Sequence, residues 1–388
     1  MKKLIIITLG ILCVVSISLL WIYKPDTKDE EINKPKKAID IQKSNSFVKY
    51  SLKDDGSFFS IVNNQDVLYS LISINEDLPA KDVFSIDKSS RLKNSIYTTK
   101  HGEDGQIISL GGNEDYLVWL DQNIPDYLCT IIVYDISQKK IIATIDGSEK
   151  KYFDSFLLNE DTIYWIESDT TKQQTEVGTG EDKDTMIVGN YTGKIKSYHI
   201  GIGKQQTIDT IKTVNYPNNE LTASKGKLWY IDNRDFTENA LIKAYDFDTE
   251  RIATYDLKEQ FLGHLKPIDN SNVAFFKYTI HAAPVGMYLY NTSSRKVTVV
   301  NAQETDNRAA YDRAGRIISS NMSYDIDKEG NIKFSDTLQR EFNDHFYFSS
   351  VGPISSISFT TSSKGSTHFN SVVEFNRYAL KWKDQLVP

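Results

Sequence analysis

The residues that most resemble catalytic groups are three acidic side chains, each at the end of a short apolar segment with a central aromatic residue. Asp121 closes "YLVWLD", Glu167 closes "IYWIE" and Asp232 closes "LWYID". Carboxylates that converge on one site can act as general acid and base or hold a hard cation. Because each acid ends a segment with the composition of a β-strand, we interpret all three as strand-end and loop-capping groups.

Other catalytic patterns are weak. The sequence "SRLK" (90–93) has the spacing of a Ser/Lys nucleophile pair but falls in a predicted outer strand, and "GIGKQQ" (201–206) lacks the third glycine and the helix of a phosphate loop. No G-x-S-x-G motif is present, and the histidines never show the spacing of metal ligands. The six are His101, His199, His264, His281, His345 and His368. The sequence therefore predicts no catalytic residue, no metal site and no cofactor.

The aromatic segment is repeated, with a spacing of about 46 residues that is typical of propeller blades. Its central aromatic residues align as Tyr69, Trp119, Trp165, Tyr230 and Phe276. Each is followed by a second aromatic residue: Phe84, Tyr134, Tyr198, Tyr245 and Tyr290. Two weaker copies align at Ile318/Phe334 and Phe359/Phe375. We interpret Trp165 and its equivalents as residues that pack one blade on the next.

Each copy divides into four short strands. In the second copy these are 106–110, 116–120, 129–136 and 140–145, and short polar turns such as "GGNED" and "SQKK" join the first to the second and the third to the fourth. Asn, Asp and Gly in these positions suit tight hairpins. The prediction is an all-β, seven-bladed β-propeller over 47–388, with six blades as the alternative. Cys129 is expected to be a small core residue on a strand.

The repeats resemble those of known bacterial propellers. "YWIESD" and "LWYIDN" are similar to the Tyr-Trp-Thr-Asp type of repeat, and "YDFDTER" is similar to the Tyr-Asp-x-x-Thr-Gly-Lys turn of TolB-like and YVTN-like propellers. The resemblance is architectural, and Glu250 stands where that turn has glycine. It implies a propeller fold and no particular activity.

The N-terminus predicts a membrane anchor. Lysines precede an uncharged, mainly apolar run from Leu4 to Tyr23, which is long enough to cross a bilayer as a helix. The alternatives are a cleaved signal peptide and a lipoprotein signal at Cys13. We expect an uncleaved anchor over 1–24, a charged flexible tether over 25–46 and an exported domain, at a bacterial cell surface or in a periplasm. The formal net charge of −7 disfavours binding to nucleic acid.

The longer connections of a propeller predict where a partner binds. Turns between strands one and two, and between three and four, share one face, called here the bottom face. Connections between strands two and three, and between blades, share the opposite top face and are longer here, notably an insertion at 168–190. Its "EDKD" lacks the ordered ligand spacing of a calcium loop, so we interpret it as a solvated hairpin.

Aromatic and histidine residues of the top-face loops are the predicted contacts with a ligand or partner. They are Tyr127, Tyr152, Tyr216, Phe236, His264 and His281, with Phe153 and Phe261 beside them. The predicted function is that of a membrane-anchored binding or scaffold module for a protein, a peptide or a polymer of the cell envelope. The alternative is a propeller hydrolase, lyase or lactonase with acids and histidines around the axis, with or without calcium.

Overall fold

The computed structural model describes the parts of the chain that begin at Lys37. These are residues 37–43, 47–53, 56–73, 79–126, 128–147, 151–169, 175–177, 184–186, 190–214, 221–224, 226–233, 239–268, 271–279, 284–301, 310–312, 316–318, 323–326, 332–335, 345–350, 356–362 and 371–376. The chain divides into two compact units, Met1–Lys37 and Ala38–Pro388. The expected anchor at 1–24 lies outside the described residues, and among those that are described no helix is long and apolar enough to span a membrane.

Six sheets of the second unit each contain four antiparallel strands. Sheet 1 comprises β3–β6, at Ser57–Asn63, Val67–Ser73, Asp82–Asp87 and Lys93–Thr98. Sheet 2 comprises β7–β10, at Gly105–Gly112, Tyr116–Asn123, Leu128–Asp135 and Lys140–Asp146. Sheet 3 comprises β11, β12, β15 and β16, at Lys151–Asn159, Thr162–Asp169, Asn190–His199 and Lys204–Val214. A short 3-10 turn, Gly102–Asp104, connects sheets 1 and 2.

The remaining four-stranded sheets follow in chain order. Sheet 4 comprises β17–β20, at Thr222–Ser224, Lys227–Asp232, Leu241–Asp246 and Ile252–Asp256. Sheet 5 comprises β21–β24, at Leu262–Pro267, Asn272–Tyr278, Pro284–Asn291 and Lys296–Asn301. Sheet 6 comprises β25–β28, at Ala310–Asp312, Arg316–Ile318, Ser323–Ile326 and Ile332–Ser335. The four-strand division predicted from the second copy is therefore confirmed, since β7 to β10 lie where that copy placed its strands.

A further sheet joins the two ends of the unit. It contains β1 and β2 from the N-terminal side, at Ile39–Lys43 and Phe47–Leu52, and β29, β30 and β31 from the C-terminal side, at His345–Ser350, Ser356–Ser362 and Ser371–Asn376. Its order is β1-β2-β31-β30-β29, so β2 pairs with β31 and the sheet is closed by distant parts of the chain. We call it the closing sheet.

The closing sheet corrects the predicted tether. Strand β1 lies within 25–46, a segment that the sequence predicted to be a flexible tether. Ile39 is fully buried among residues of the closing sheet and sheet 1, and the N–H of Ala38 donates to the carbonyl of Arg91 at 2.9 Å. The folded unit therefore begins before residue 47. One buried isoleucine among charged neighbours gives too weak a pattern to predict this strand.

The core consists of apolar clusters between consecutive sheets. Trp119 packs with residues of sheets 1 and 2, and Trp165 packs with residues of sheets 2 and 3. Adjacent residues on a strand serve opposite interfaces: Trp165 belongs to the cluster with sheet 2, whereas Ile166 belongs to the cluster with sheet 4. This follows from the two-residue period of a strand. The interpretation of Trp165 and Trp119 as sheet-to-sheet packing residues is confirmed.

The alignment of the repeat was wrong in three copies. Phe275, and not Phe276, shares the interface position of Trp119, because Phe275 packs with sheet 4 while Phe276 packs on the other side of its sheet. Tyr69 likewise packs toward sheet 2, the side opposite to that of Trp119. In the sixth copy Phe334 lies on the fourth strand and Tyr324 on the third. A shift of one residue reverses the face of a side chain, and in the fifth copy the adjacent Phe275 and Phe276 conceal that shift.

The fully buried indole of Trp165 provides a test of this core. We expect Trp165→Ala to lower the free energy of unfolding by about 3–5 kcal/mol, because it empties a large aromatic site that no neighbour can refill. Phe59→Ala is the matched control, since Phe59 is 64% exposed and should change stability by less than about 0.5 kcal/mol. Denaturant unfolding followed by circular dichroism measures both. If wild type and Trp165→Ala have equal free energies of unfolding, Trp165 does not contribute to the core as proposed.

Candidate functional site

The bottom face is held by one hydrogen bond that is repeated in five sheets. In each, a backbone N–H of the turn between strands three and four donates to a carbonyl of the turn between strands one and two, at 2.6–2.9 Å. The donor and acceptor pairs are Lys88 and Asp66, Ile136 and Asp115, Ile200 and Asp161, Phe247 and Gly226, and Thr292 and Ser271. The two turns of each of these sheets are therefore fixed to one another.

The outer turns of the bottom face also carry their own side-chain bonds. Asp87, Asp135, Asp246 and Asn291 occupy the same position and accept from backbone N–H or hydroxyl groups two or three residues later. The backbone N–H of Ser90 and the neighbouring serine hydroxyls lower the pKa of Asp87 to about 2. Glu250, in place of the glycine of the related turn motif, has a left-handed φ of 54°, so the turn keeps its shape without glycine. These residues are structural.

Asp121 joins the top ends of sheets 1 and 2. Its carboxylate is fully buried and accepts from the Tyr97 hydroxyl, the Thr99 hydroxyl and the backbone N–H of Lys100. These three donors lie on or just after the last strand of sheet 1, while Asp121 lies on the second strand of sheet 2. Burial and the nearby carboxylate raise the pKa of Tyr97. The expected capping role of Asp121 is confirmed.

Asp232 does the same between sheets 3 and 4 and adds a lysine. It accepts from the backbone N–H of Lys212 at 2.8 Å, and its other oxygen lies 2.9 Å from Nζ of Lys243. The same Nζ lies 3.0 Å from Asp209, which also accepts from the Tyr230 hydroxyl at 2.9 Å. Burial opposes the charge of Lys243, but its two carboxylate partners prevail and its pKa is raised. We call Asp209, Tyr230, Asp232 and Lys243 the lysine cluster.

Two further charged residues occupy the equivalent strand position. Glu167, in sheet 3, pairs with Lys196 of the neighbouring strand at 2.8 Å, and both side chains are nearly buried. Lys277, in sheet 5, pairs with Glu259 after the last strand of sheet 4 at 2.6 Å and lies over the Tyr288 ring. The position two residues after the packing aromatic therefore carries Asp121, Glu167, Asp232 and Lys277 in successive sheets. All four have partners within the protein.

The first strands of several sheets contain a bulge near their top ends. The register shifts at Phe59 in β3, at Ile108 in β7 and at Asp154 in β11. The last two lie directly beside the pairs that contain Asp121 and Glu167. In β21 the shift includes His264, which has a positive φ of 50°. Bulges redirect one side chain out of the regular alternation. We call these four positions the bulge belt.

The predicted contact residues have different outcomes. Tyr127, Tyr216, Phe236 and His281 lie outside the described residues. Tyr152 and His264 were expected on loops, but both lie on first strands, β11 and β21. This part of the prediction was wrong because bulges interrupt the alternation by which a strand start is recognised.

The side chains of His264, Phe153 and Phe261 belong to the packed part of the protein. His264 is buried, with its ring centroid 5.9 Å from Tyr278 and 6.3 Å from Phe276. Phe153 is buried against Trp165, and Phe261 packs against the cluster of sheet 5. Within the parts of the chain that the structure describes, no group of three or more His, Cys, Asp or Glu residues has the arrangement of a metal site. His264 is the one predicted contact that lies in the bulge belt.

The long insertion leaves sheet 3 between its second and third strands, as predicted. Its strands β13 and β14, at Thr175–Val177 and Asp184–Met186, form a separate antiparallel pair. The flanking strands remain paired up to Ser168 and Gly193. Beyond that level β15 and β16 continue together to Asn190 and Val214. The top end of sheet 3 is thus extended by two paired ribbons, whereas its bottom end keeps the common turn geometry.

Comparisons with known proteins identify the fold. No family model and no curated protein matches the sequence. An oligogalacturonate lyase in complex with manganese is similar in structure, with 10% identity, 88% of this chain and 97% of that chain covered, and a TM-score of 0.53. An oligogalacturonate lyase from Vibrio parahaemolyticus gives 11% identity, 87% and 97% coverage, and a TM-score of 0.51. The fold is that of β-propeller-like proteins, and the expected architectural resemblance is confirmed.

A third solved structure is more distant. The β-propeller domain of the Trilobed protease from Pyrococcus furiosus has 11% identity, covers 69% of this chain and 80% of that chain, and has a TM-score of 0.43. Sequence identities at this level describe a shared fold and carry no information on activity.

The lysine cluster can be tested by removing its cation. We expect Lys243→Met to cost about 3–5 kcal/mol, because it leaves two nearly buried carboxylates without a counter-charge. Adding Asp209→Asn and Asp232→Asn to this variant should restore most of the loss, since the uncompensated charge is then gone. Lys258→Met is the control, because the Lys258 side chain is 78% exposed. If the single and triple variants unfold at the same denaturant concentration, the cluster is not a charge-coupled unit.

Proposed function

We propose that this protein is a binding module that holds a protein, a peptide or an envelope polymer on the top face of a propeller. The observation that carries the proposal is the contrast between the two faces. The bottom face repeats one turn-to-turn hydrogen bond in five sheets, whereas the top face carries connections of unequal length, including the ribbons of sheet 3. A rigid scaffold with variation confined to one face is typical of binding proteins.

The paired charges of the top ends support binding over catalysis. Asp121, Glu167 and Asp232 are the acids most suitably placed for chemistry, yet each is held by hydrogen bonds or an ion pair within the fold. A general acid or base must instead reach a substrate proton. Partner contacts are proposed for Tyr127, Tyr216, Phe236 and His281, together with the ribbons and with Tyr152 of β11. His264 is not among them, because its side chain is buried.

Two further features complete the proposal. The closing sheet serves as a seventh blade, because its first strand, β29, contacts β3 of sheet 1 and its outer strands come from the start of the unit.

The apolar run from Leu4 to Tyr23 anchors the protein in a cytoplasmic membrane with the propeller outside. Carbonate extraction of membranes tests the anchor: the protein should stay in the pellet, and a soluble mature form cut near Tyr23 would contradict it.

The ribbon of sheet 3 gives the sharpest test of the binding proposal. Replacing 169–189 by a short Gly-containing turn should leave unfolding nearly unchanged. The deletion removes β13 and β14, which form a two-stranded sheet of their own, and only the last residue of β12. Loop closure changes by about 0.6 kcal/mol per doubling of length. The same deletion should reduce at least tenfold the recovery of envelope components cross-linked to the full-length protein.

The control for the deletion lies on the bottom face. Ile202→Ala, which trims a 68% exposed residue without changing the length of its turn, should leave recovery unchanged. Loss of folding on deletion of 169–189 would make the ribbon structural. Unchanged recovery of cross-linked envelope components would show that the ribbon is not part of the binding surface.

An enzyme of the hydrolase or lyase class is the second candidate. The observation that favours it is the lysine cluster, in which a lysine, a tyrosine and two carboxylates lie within hydrogen-bonding distance. The solved structures that share the fold include oligogalacturonate lyases, which supply a substrate to try. Incubation of the full-length protein with oligogalacturonate and manganese distinguishes the two. New unsaturated ends that form with wild type and are lost with Tyr230→Phe would establish the lyase.

A further inference from the structure

The closing sheet has one strand more than any other sheet that the structure describes. Its order is β1-β2-β31-β30-β29, whereas sheets 1 to 6 each have four strands. Strand β1 is the outermost and pairs with β2, while β2 pairs with β1 on one side and with β31 on the other. Removing β1 would therefore leave β2-β31-β30-β29, a sheet of the common size that still joins the two ends of the unit.

The contacts described for β1 lie mostly at its N-terminal end. Five residue pairs join it to β2. The N–H of Ala38 donates to the carbonyl of Arg91 at 2.9 Å, and the Ala38 carbonyl accepts from the N–H of Lys53 at 3.0 Å. The Asp40 carboxylate lies 3.2 Å from Nζ of Lys53, but these side chains are 65% and 41% exposed, and surface pairs of this kind contribute little to stability. An edge strand held in this way opens more easily than the strands inside its sheet.

The packing between the closing sheet and sheet 1 depends little on β1. Ile39 is the one fully buried side chain of this strand, and Ile41 is partly buried beside it. The other three side chains of β1 are exposed. The rest of the apolar cluster comes from sheet 1, from Tyr50 of β2 and from Val372 of β31. The two sheets therefore remain packed on one another when β1 is absent.

The composition of β1 is that of a tether. The segment 25–46 that contains it is charged and holds few large apolar residues, as in a linker that stays flexible in water. The polar side chains of β1 are exposed when it is docked, so they gain little or nothing from docking. One buried isoleucine and the pairing with β2 favour the docked strand, whereas chain entropy favours its release. These opposing contributions are of the kind that give a segment two states.

We propose that β1 is a reversible clasp, which either docks on the closing sheet or joins the tether while β2 and β31 keep the propeller closed. Undocking adds residues 38–46 to the chain at 25–37, which is about 30 Å when extended at about 3.4 Å per residue. A pull on the N-terminal chain reaches β1 before any other strand, so tension favours the undocked state. The longer reach serves a propeller that is anchored by its N-terminus, and in this respect the inference rests on the proposed function.

Thiol labelling of the full-length protein in phosphatidylcholine nanodiscs tests the clasp. Ile39→Cys and Val372→Cys are matched variants, because both residues are fully buried in the same cluster and lie on β1 and β31. Both are made together with Cys13→Ser, and the remaining native Cys129 is buried. We expect the thiol at position 39 to react with a maleimide at least about tenfold faster than the thiol at position 372. Undocking of β1 is enough to expose the first, whereas the second requires the closing sheet to open.

A second pair of variants separates β1 from the rest of the closing sheet without labelling. Ile39→Asp should release β1 and leave the propeller folded, so it should lower the midpoint of thermal unfolding much less than Val372→Asp, which places a charge inside the closing sheet. The proposal is overturned if the two thiols react at the same rate, or if Ile39→Asp destabilises the protein as much as Val372→Asp. Faster reaction at position 39 in a protein that carbonate extracts from membranes would support the clasp and contradict the proposed anchor alone.

Discussion

The whole structure depends on the fact that a four-stranded sheet with two apolar faces is unstable until both are covered. Consecutive residues of the second strands belong to different clusters, as Trp165 and Ile166 show, so each sheet buries one set of side chains on the preceding sheet and the other on the next. Among the described residues, the clusters that contain side chains of sheets 1 to 4 are each shared by two sheets. The closing sheet meets the same requirement. Its three C-terminal strands, β29 to β31, are completed by β1 and β2 from the start of the unit.

Charged residues are found where this apolar packing ends. At the top ends of the strands, the residue two positions after the packing aromatic is charged in four successive sheets, and Asp121, Glu167 and Asp232 are buried there. A buried carboxylate at that level must find donors, and Asp121 and Asp232 find them on the last strand of the preceding sheet. Because these donors belong to another sheet, the bonds also fix the angle between sheets. The acids that look most catalytic in the sequence are therefore the ones that hold the scaffold together.

The sequence predicts what is local and repeated. Four strands per copy, tight bottom turns and the departure of the insertion from sheet 3 follow from turn residues and alternation, and the structure confirms them. The bulges at Phe59 and His264 could not be predicted, because an extra residue erases the alternation that would reveal it. The partners of Asp121 and Asp232 are distant in sequence and have no local signal. The burial of Ile39 could not be predicted either, because the charged segment around it shows no local pattern of a strand.

The location of variation follows from the hydrogen bonds of the bottom face. The Ile200 N–H can reach the carbonyl of Asp161 only if both bottom turns of sheet 3 keep their length, so an insertion in either would break a bond that four other sheets also make. In the described parts of the connections between strands two and three, no bond of this kind recurs from sheet to sheet. Sheet 3 accordingly keeps its bottom turns and gains its ribbons at the top. The same constraint that makes the bottom face uniform therefore leaves the top face as the part of the protein that is free to vary.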